Sequence, residues 1–148
     1  MLGASRTIPL QSTSPEERGQ TVRDLTDGRG AEIVIEATGR MSAFDEGMGL
    51  LADGGRYLVL GIYSGHGTVA LDAVALNNRS LAVIGSMGPT DLSDYRTTIH
   101  LATRHGERLA FADLITHRFS LSQTAEAIAV ARAGEAIKAV VLPSLDRR

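Results

Sequence analysis

Few side chains in this sequence could do chemistry, and their spacing argues against most of the roles open to them. Glu36 closes the run Glu32-Ile33-Val34-Ile35-Glu36, and a carboxylate at the end of a strand could serve as a general acid or base. No second acid or histidine stands at motif spacing from it, so Glu36 reads as a hydrogen-bonded structural carboxylate. His66 and His117 invite a metal reading. With four histidines scattered along the chain, no cysteine and no short ligand spacing, packing or surface roles are the better assignment, and no metal is placed. Ser64, Ser86 and Thr38 have no base partner in view, which favours contacts to backbone or a ligand over nucleophilic catalysis. Lys138, the only lysine, invites a functional role or simply sits at a strand entrance, and the sequence leaves both readings open.

Glycine patterns are the other candidates. Gly47-x-Gly49-x-x-Ala52 and Gly65-x-Gly67-x-x-Ala70 match a dinucleotide-type spacing, but such a loop must leave a strand and open a helix so that helix amides face a phosphate. The first lies within a helical stretch and the second runs into an extended one, so chance explains both. No Walker-type lysine loop, nucleophile-elbow serine or paired-histidine helix is present. Gly39, Gly61 and Gly85 each end a strand, where a turn can need glycine whatever the function; their recurrence at three strand ends is also what a ligand crevice would show.

The elements that must carry these residues alternate between strand and helix. Arg6 to Leu10 reads as a short strand. Ser14-Pro15-Glu16-Glu17 then opens a helix, with Ser14 as cap, Pro15 in the first turn and Glu17 at capping-box spacing, and Gly28 stops it. Glu32 to Ala37 is a buried parallel-type strand. A helix follows from Ser42 to Leu51 with two internal glycines, which weaken it or let something pack closely. Gly54-Gly55 turns the chain into a strand over Arg56 to Gly61. Val69 to Leu71 is extended, a short helical turn runs from Asp72 to Leu76, and Ser80 to Gly85 is a third strand. A longer helix spans Asp91 to His105, with Leu92, Tyr95, Ile99 and Ala102 at helical spacing and Gly106 as its stop. Leu114 to Phe119 is extended, Ser122 to Ala133 is a helix closed by Gly134, and Lys138 to Leu142 is the last strand. Alternation of this kind makes an α/β fold with an open, mostly parallel sheet.

Composition agrees. Hydrophobic residues make up 43% of 148, enough for a real core, but only 4% are aromatic and there is no Trp, so Ala, Val, Ile and Leu must fill it. A net charge of -2 and fourteen scattered arginines provide no basic face, so nucleic acid is not an expected partner. The absence of cysteine excludes a disulfide framework and a thiolate zinc site. Met1 to Leu10 shows no leader, and no stretch approaches the ~20 apolar residues of a membrane span, so no membrane is expected and the cytoplasm is the default location.

Four pieces in order carry a resemblance: Gly28-Arg29-Gly30-Ala31-Glu32-Ile33-Val34-Ile35-Glu36-Ala37-Thr38-Gly39, Gly54-Gly55-Arg56-Tyr57-Leu58-Val59-Leu60-Gly61, Leu114-Ile115-Thr116-His117-Arg118-Phe119, and Gly134-Glu135-Ala136-Ile137-Lys138-Ala139-Val140-Val141. Together they resemble the second half of the medium-chain zinc-dependent alcohol, polyol and threonine dehydrogenases, from about Leu2 to Pro143. The resemblance implies a partial Rossmann-type sheet with a C-terminal helix-strand extension. Residues 1–106 would be a dinucleotide-binding domain without its first two strands, and 107–148 a segment that in the family returns to the catalytic domain. It further implies that Ala37, Thr38, Gly39, Leu60, Gly61 and Ile62 line the adenosine-ribose and nicotinamide side of an NAD or NADP site. Ile84, Gly85 and Ser86 would offer backbone groups to the carboxamide, and Lys138 would face the pyrophosphate.

The same resemblance implies what to look for and not find. The family's zinc ligands, the first strand with its glycine-rich turn and the second with its ribose-binding acid have no counterpart, and Met1-Leu2-Gly3-Ala4 resembles the end of the helix after that second strand. In the strand order 3-2-1-4-5-6, Arg6 to Leu10 would be strand three and Ile33 to Ala37 strand four, leaving strand four with an open edge. The leading expectation is the cofactor half of an alcohol dehydrogenase, inactive alone, as a truncated gene, an incomplete gene model or a split enzyme would produce. The alternative is a noncatalytic association module that self-associates or docks on a full-length relative. An α/β enzyme with an unrelated site is a third reading. The substrate alcohol, and NAD against NADP, stay undetermined.

Overall fold

The computed structural model describes residues 3–63, 67–89 and 91–144. The chain divides into two compact units, one of residues 5–90 and one of residues 91–148 with 1–4.

In the first unit, helix α1 spans Pro15–Asp24 and begins where the local signals place it. The Ser14 hydroxyl accepts from the Glu17 amide at 3.2 Å, the Glu17 carboxylate accepts from the Ser14 amide at 2.7 Å, and Pro15 fills the first turn. Strands β1 (Ala31–Glu36), β2 (Leu51–Val59) and β3 (Ala82–Gly85) form a parallel sheet in the order β1-β2-β3. Helix α2 (Met41–Leu50) carries the chain from β1 to β2, and the short helix α3 (Ala73–Asn78), capped by the Asp72 carboxylate, precedes β3. Arg18 of α1 reaches Glu46 of α2 with two hydrogen bonds of 2.5 and 2.7 Å, which fixes the two helices side by side.

The core lies between α2 and one face of the sheet. Tyr57 is completely buried there, its ring edge-on to Phe44 with centroids 5.0 Å apart, and Leu51 joins them. Its hydroxyl donates to the carbonyl oxygens of Phe44 at 3.1 Å and Ala43 at 3.2 Å, so the polar end of a buried aromatic is satisfied. Of the two glycines inside α2, Gly47 is there for packing: a Cβ on it would stand 2.5 Å from the Tyr57 hydroxyl. Gly49 faces open space. On the opposite face of the sheet, Ile33 is 63% exposed and Ile35 55% exposed.

Four sequence expectations are corrected in this unit. Arg6 to Leu10 is no strand; it has no ladder partner, and Leu10 already belongs to a 3-10 turn at Leu10–Ser12. A strand exists only by pairing, Pro9 lacks a donor, and the neighbours expected beside this segment are not among the described residues. Strand β2 starts at Leu51, not Arg56. Gly54, at φ +74°, and Gly55 form an irregularity inside it, because the register moves from Ala31 opposite Leu51 to Ile33 opposite Arg56. Helix α2 starts at Met41, one residue before Ser42, and α1 ends at Asp24, ahead of Gly28, its expected stop.

In the second unit, α4 runs Leu92–Leu109 from an Asp91 cap whose Oδ1 accepts from the Ser93 amide at 2.6 Å. It passes through Gly106, expected as its stop, and ends at Ala110 in the left-handed region. A single helical glycine costs only about 1 kcal/mol, too little to stop a helix whose next turn is otherwise favourable. Strands β4 (Ile115–Phe119) and β5 (Lys138–Val141) pair in parallel, joined by α5 (Thr124–Ala133). Ser120 and Gln123 make a capping box ahead of α5, and Gly134 closes it at φ +72°. Phe119 and Ala127 are the buried apolar side chains among the described residues of this unit. The expected α/β class with parallel sheets is therefore the observed one.

Candidate functional site

The register of the sheet sets its carboxyl end in one row: Glu36 stands opposite Val59, and Val59 opposite Gly85. Beyond the row the chain is stitched rather than splayed. The Glu36 carbonyl accepts from the amides of Leu60 at 2.8 Å and Gly61 at 2.9 Å, and the Val59 carbonyl accepts from the Ser86 amide at 3.0 Å. The segments Ala37-Thr38-Gly39, Leu60-Gly61-Ile62 and Ile84-Gly85-Ser86 are thereby brought together at one end of the sheet, where open parallel sheets place ligands.

Glu36 is the centre of this end. It is 4% exposed, and its carboxylate accepts four hydrogen bonds. The Thr38 amide and hydroxyl reach Oε1 at 2.6 Å each and the Gly39 amide at 2.9 Å; the Tyr63 hydroxyl reaches Oε2 at 2.7 Å. Burial alone would push this carboxyl up, but the donations from Thr38, Tyr63 and the Gly39 amide outweigh it and hold the group at about 2. Partial burial and the bond to Glu36 push the Tyr63 hydroxyl up to about 12. Glu36 is therefore ionised at neutral pH and occupied on both oxygens, an arrangement that holds loops and does not transfer protons.

The glycines follow from this seat. A Cβ on Gly61 would overlap the Glu36 carboxylate and the Gly39 nitrogen, and one on Gly39, at φ +70°, would overlap the Ile62 carbonyl. Gly39 and Gly61 thus let two strand ends touch, whereas a Cβ on Gly85 would meet nothing within 4 Å. Spacing could not reveal Tyr63, 27 residues from its partner Glu36; a hydroxyl-bearing aromatic two residues after Gly61 was the only signal.

The surfaces at this end are apolar and open. Ile62 is 70% exposed, with Ile84 and Leu60 also exposed beside Gly85. A cavity of about 630 Å³ adjoins the outer side of β1, lined by Val34, Glu36, Thr38, Arg40 and Tyr57 together with the Arg18–Glu46 pair. β1 is an edge of the sheet among the described residues. Exposed Leu60, Ile62 and Ile84, near the bare backbone of Gly85, offer an apolar surface on which a flat ring could lie. The Ser86 amide is already committed to Val59. Among the described residues no glycine-rich turn opens a helix toward this end, so they hold no anion cradle for a pyrophosphate.

Lys138 opens β5 in the other unit, opposite Ile115. His117 stacks on Phe119 at 6.2 Å and its Nδ1 lies 3.0 Å from the Thr116 hydroxyl. No group of three His, Asp or Glu side chains among the described residues could hold a metal ion. Ser64, Gly65 and His66, and with them the second glycine pattern and the His66 metal reading, lie outside the described residues. So do Met1 and Leu2 of the segment likened to a helix end. No helix among the described residues is long and apolar enough to cross a membrane.

Comparison with known proteins gives this geometry its family. The chain is 38% identical over 140 residues to 5-exo-hydroxycamphor dehydrogenase of Pseudomonas putida, covering 95% of the chain and 38% of that relative. It is 28% identical to L-threonine 3-dehydrogenase of Bacillus subtilis, covering 96% of the chain and 39% of the relative. Among solved structures, an alcohol dehydrogenase of Thermotoga maritima superposes with a TM-score of 0.79 at 33% identity, covering 94% of the chain and 38% of that structure. The chain thus spans about two fifths of the length of the relatives it matches. Residues 1–104 match the family model for zinc-binding dehydrogenases, and the chain belongs to that family.

Proposed function

We propose that this chain is the cofactor-binding half of a zinc-type, NAD(P)-dependent alcohol dehydrogenase. The observation that carries the reading is the row Glu36, Val59, Gly85 at the carboxyl end of three parallel strands, with bare glycine backbone and exposed apolar side chains beyond it. Leu60, Gly61, Ile62, Ile84 and Gly85 would hold the nicotinamide ring, with Ala37, Thr38 and Gly39 toward the ribose. Backbone groups of Ile84, Gly85 and Ser86 would face the carboxamide; for Lys138 the pyrophosphate role rests on the family resemblance alone. Bound there, a nicotinamide supplies hydride transfer to or from an alcohol carbon. A zinc ion that polarises the alcohol oxygen would be held by parts of the relatives that this chain does not match.

By ancestry, residues 1–106 would correspond to the dinucleotide-binding domain and 107–148 to the segment that rejoins the catalytic domain, a division distinct from that of the compact units. The proposed location is the cytoplasm. With one wall of the crevice and no anion cradle among the described residues, binding by the chain alone should be weak and turnover absent. A thermal-shift titration with NAD and NADP tests this, since a ligand that binds only the folded chain must raise its melting temperature. A small rise that saturates at millimolar dinucleotide supports the reading. Micromolar affinity would contradict the open-wall account, and no rise at any concentration would remove the cofactor role.

A second reading is favoured by the edge of β1. An edge strand bearing exposed Ile33 and Ile35 suits association, with a second copy or with a full-length relative. Light scattering that returns a monomer at all concentrations would count against self-association.

A further inference from the structure

Tyr63 and Glu36 meet where the segments that follow β1 and β2 touch at the strand ends, and nothing in hydride chemistry requires either. The Glu36 carboxylate divides its acceptors between two segments. Oε1 takes the Thr38 amide, the Thr38 hydroxyl and the Gly39 amide, all from the turn that follows β1. Oε2 takes the Tyr63 hydroxyl, from the segment that follows β2. Gly61 lies between them with no room for a Cβ, so the carboxylate is clamped against the backbone of both segments at once. A buried carboxylate that only needed partners could have found them in its own turn. This one spends one oxygen on each of the two segments.

From this division we infer that Glu36 and Tyr63 are a positioning pair, which fixes the Thr38–Gly39 turn against the Gly61–Ile62 strand end and so sets the shape of the floor of the dinucleotide crevice. The inference rests on the cofactor reading proposed above and adds to it the residues that hold the crevice in shape. Neither side chain touches the reacting atoms; both act through the backbone they hold. A charge-assisted bond is stronger and shorter than a neutral one, which suits a clamp that must not slip when a ligand enters. Tyr63 is the informative member, because removing its hydroxyl leaves Glu36 three donors and the core untouched.

The experiment compares the wild-type chain with Y63F by amide hydrogen exchange and by NMR titration with NAD and NADP. Y63F should melt cooperatively near the wild-type temperature, exchange the Thr38 and Gly39 amides faster, and bind dinucleotide about fivefold more weakly, the consequence of one lost hydrogen bond. E36Q, which keeps the shape of the side chain and removes its charge, should show the same loss more strongly and serves if Y63F does not fold. Unchanged exchange at Thr38 and Gly39 would overturn the clamp whether or not a dinucleotide binds. Faster exchange with unchanged affinity would overturn its role in the crevice. Failure of the wild-type chain to bind any dinucleotide would instead overturn the cofactor reading, and the crevice role with it.

Discussion

Gly47 lies directly against Tyr57: a Cβ at Gly47 would fall 2.5 Å from the phenol oxygen and 2.6 Å from the ring. The glycine in the middle of α2 is therefore what lets the completely buried Tyr57 side chain reach its two carbonyl partners. G47A should gain helix propensity and lose more by overpacking, a net destabilisation of about 1–3 kcal/mol. G49A, facing open space in the same helix, should be neutral or slightly stabilising. Paired chemical denaturation of the two variants checks this, and equal effects would refute the packing assignment.

Acid should expose Glu36. Its carboxyl is held at about 2 against an ordinary 4.5, so between these values the unfolded chain binds more protons than the folded one. The stabilisation is complete above the ordinary value and is lost as pH falls through that window. Melting temperatures measured from pH 6 to pH 2 should fall across it, with the wild-type curve steeper than that of E36Q. Superimposable slopes would mean that Glu36 is not the depressed group.

Two local caps give smaller effects. S14A removes the acceptor for the Glu17 amide at the start of α1 and should cost about 1 kcal/mol. G134A places a Cβ at φ +72° at the end of α5 and should cost about 1 kcal/mol or slightly more, although a Cβ there meets no neighbour. Urea denaturation distinguishes them from neutral surface changes such as E135A.

How far the sequence could be read followed the range of the interaction. The Ser14–Glu17 box and the Gly134 stop are contacts within a few residues, and α1 begins and α5 ends where those local signals put them. Arg6 to Leu10 has strand-like composition, but a strand is a pairing, and no partner for it stands among the described residues. Gly106 carries the same local signal as Gly134, yet α4 continues to Leu109, because a stop needs the left-handed turn that Ala110 adopts instead. Gly39, Gly61 and Gly85 were legible as glycines at strand ends, and the four quoted pieces as those of one family. The Tyr63–Glu36 bond was not, since nothing local links residues 27 positions apart.

Resolved by residue, an NMR titration of the labelled chain with NAD puts the central claim to the most direct test. The account predicts saturable shifts, at millimolar dinucleotide, in the amides of Thr38, Gly39, Gly61, Ile62 and Gly85, with α5 unmoved. Shifts centred elsewhere, for instance among Arg23, Arg29 and Arg79 around the cavity at the opposite end of the sheet, or no shifts at all, would contradict it.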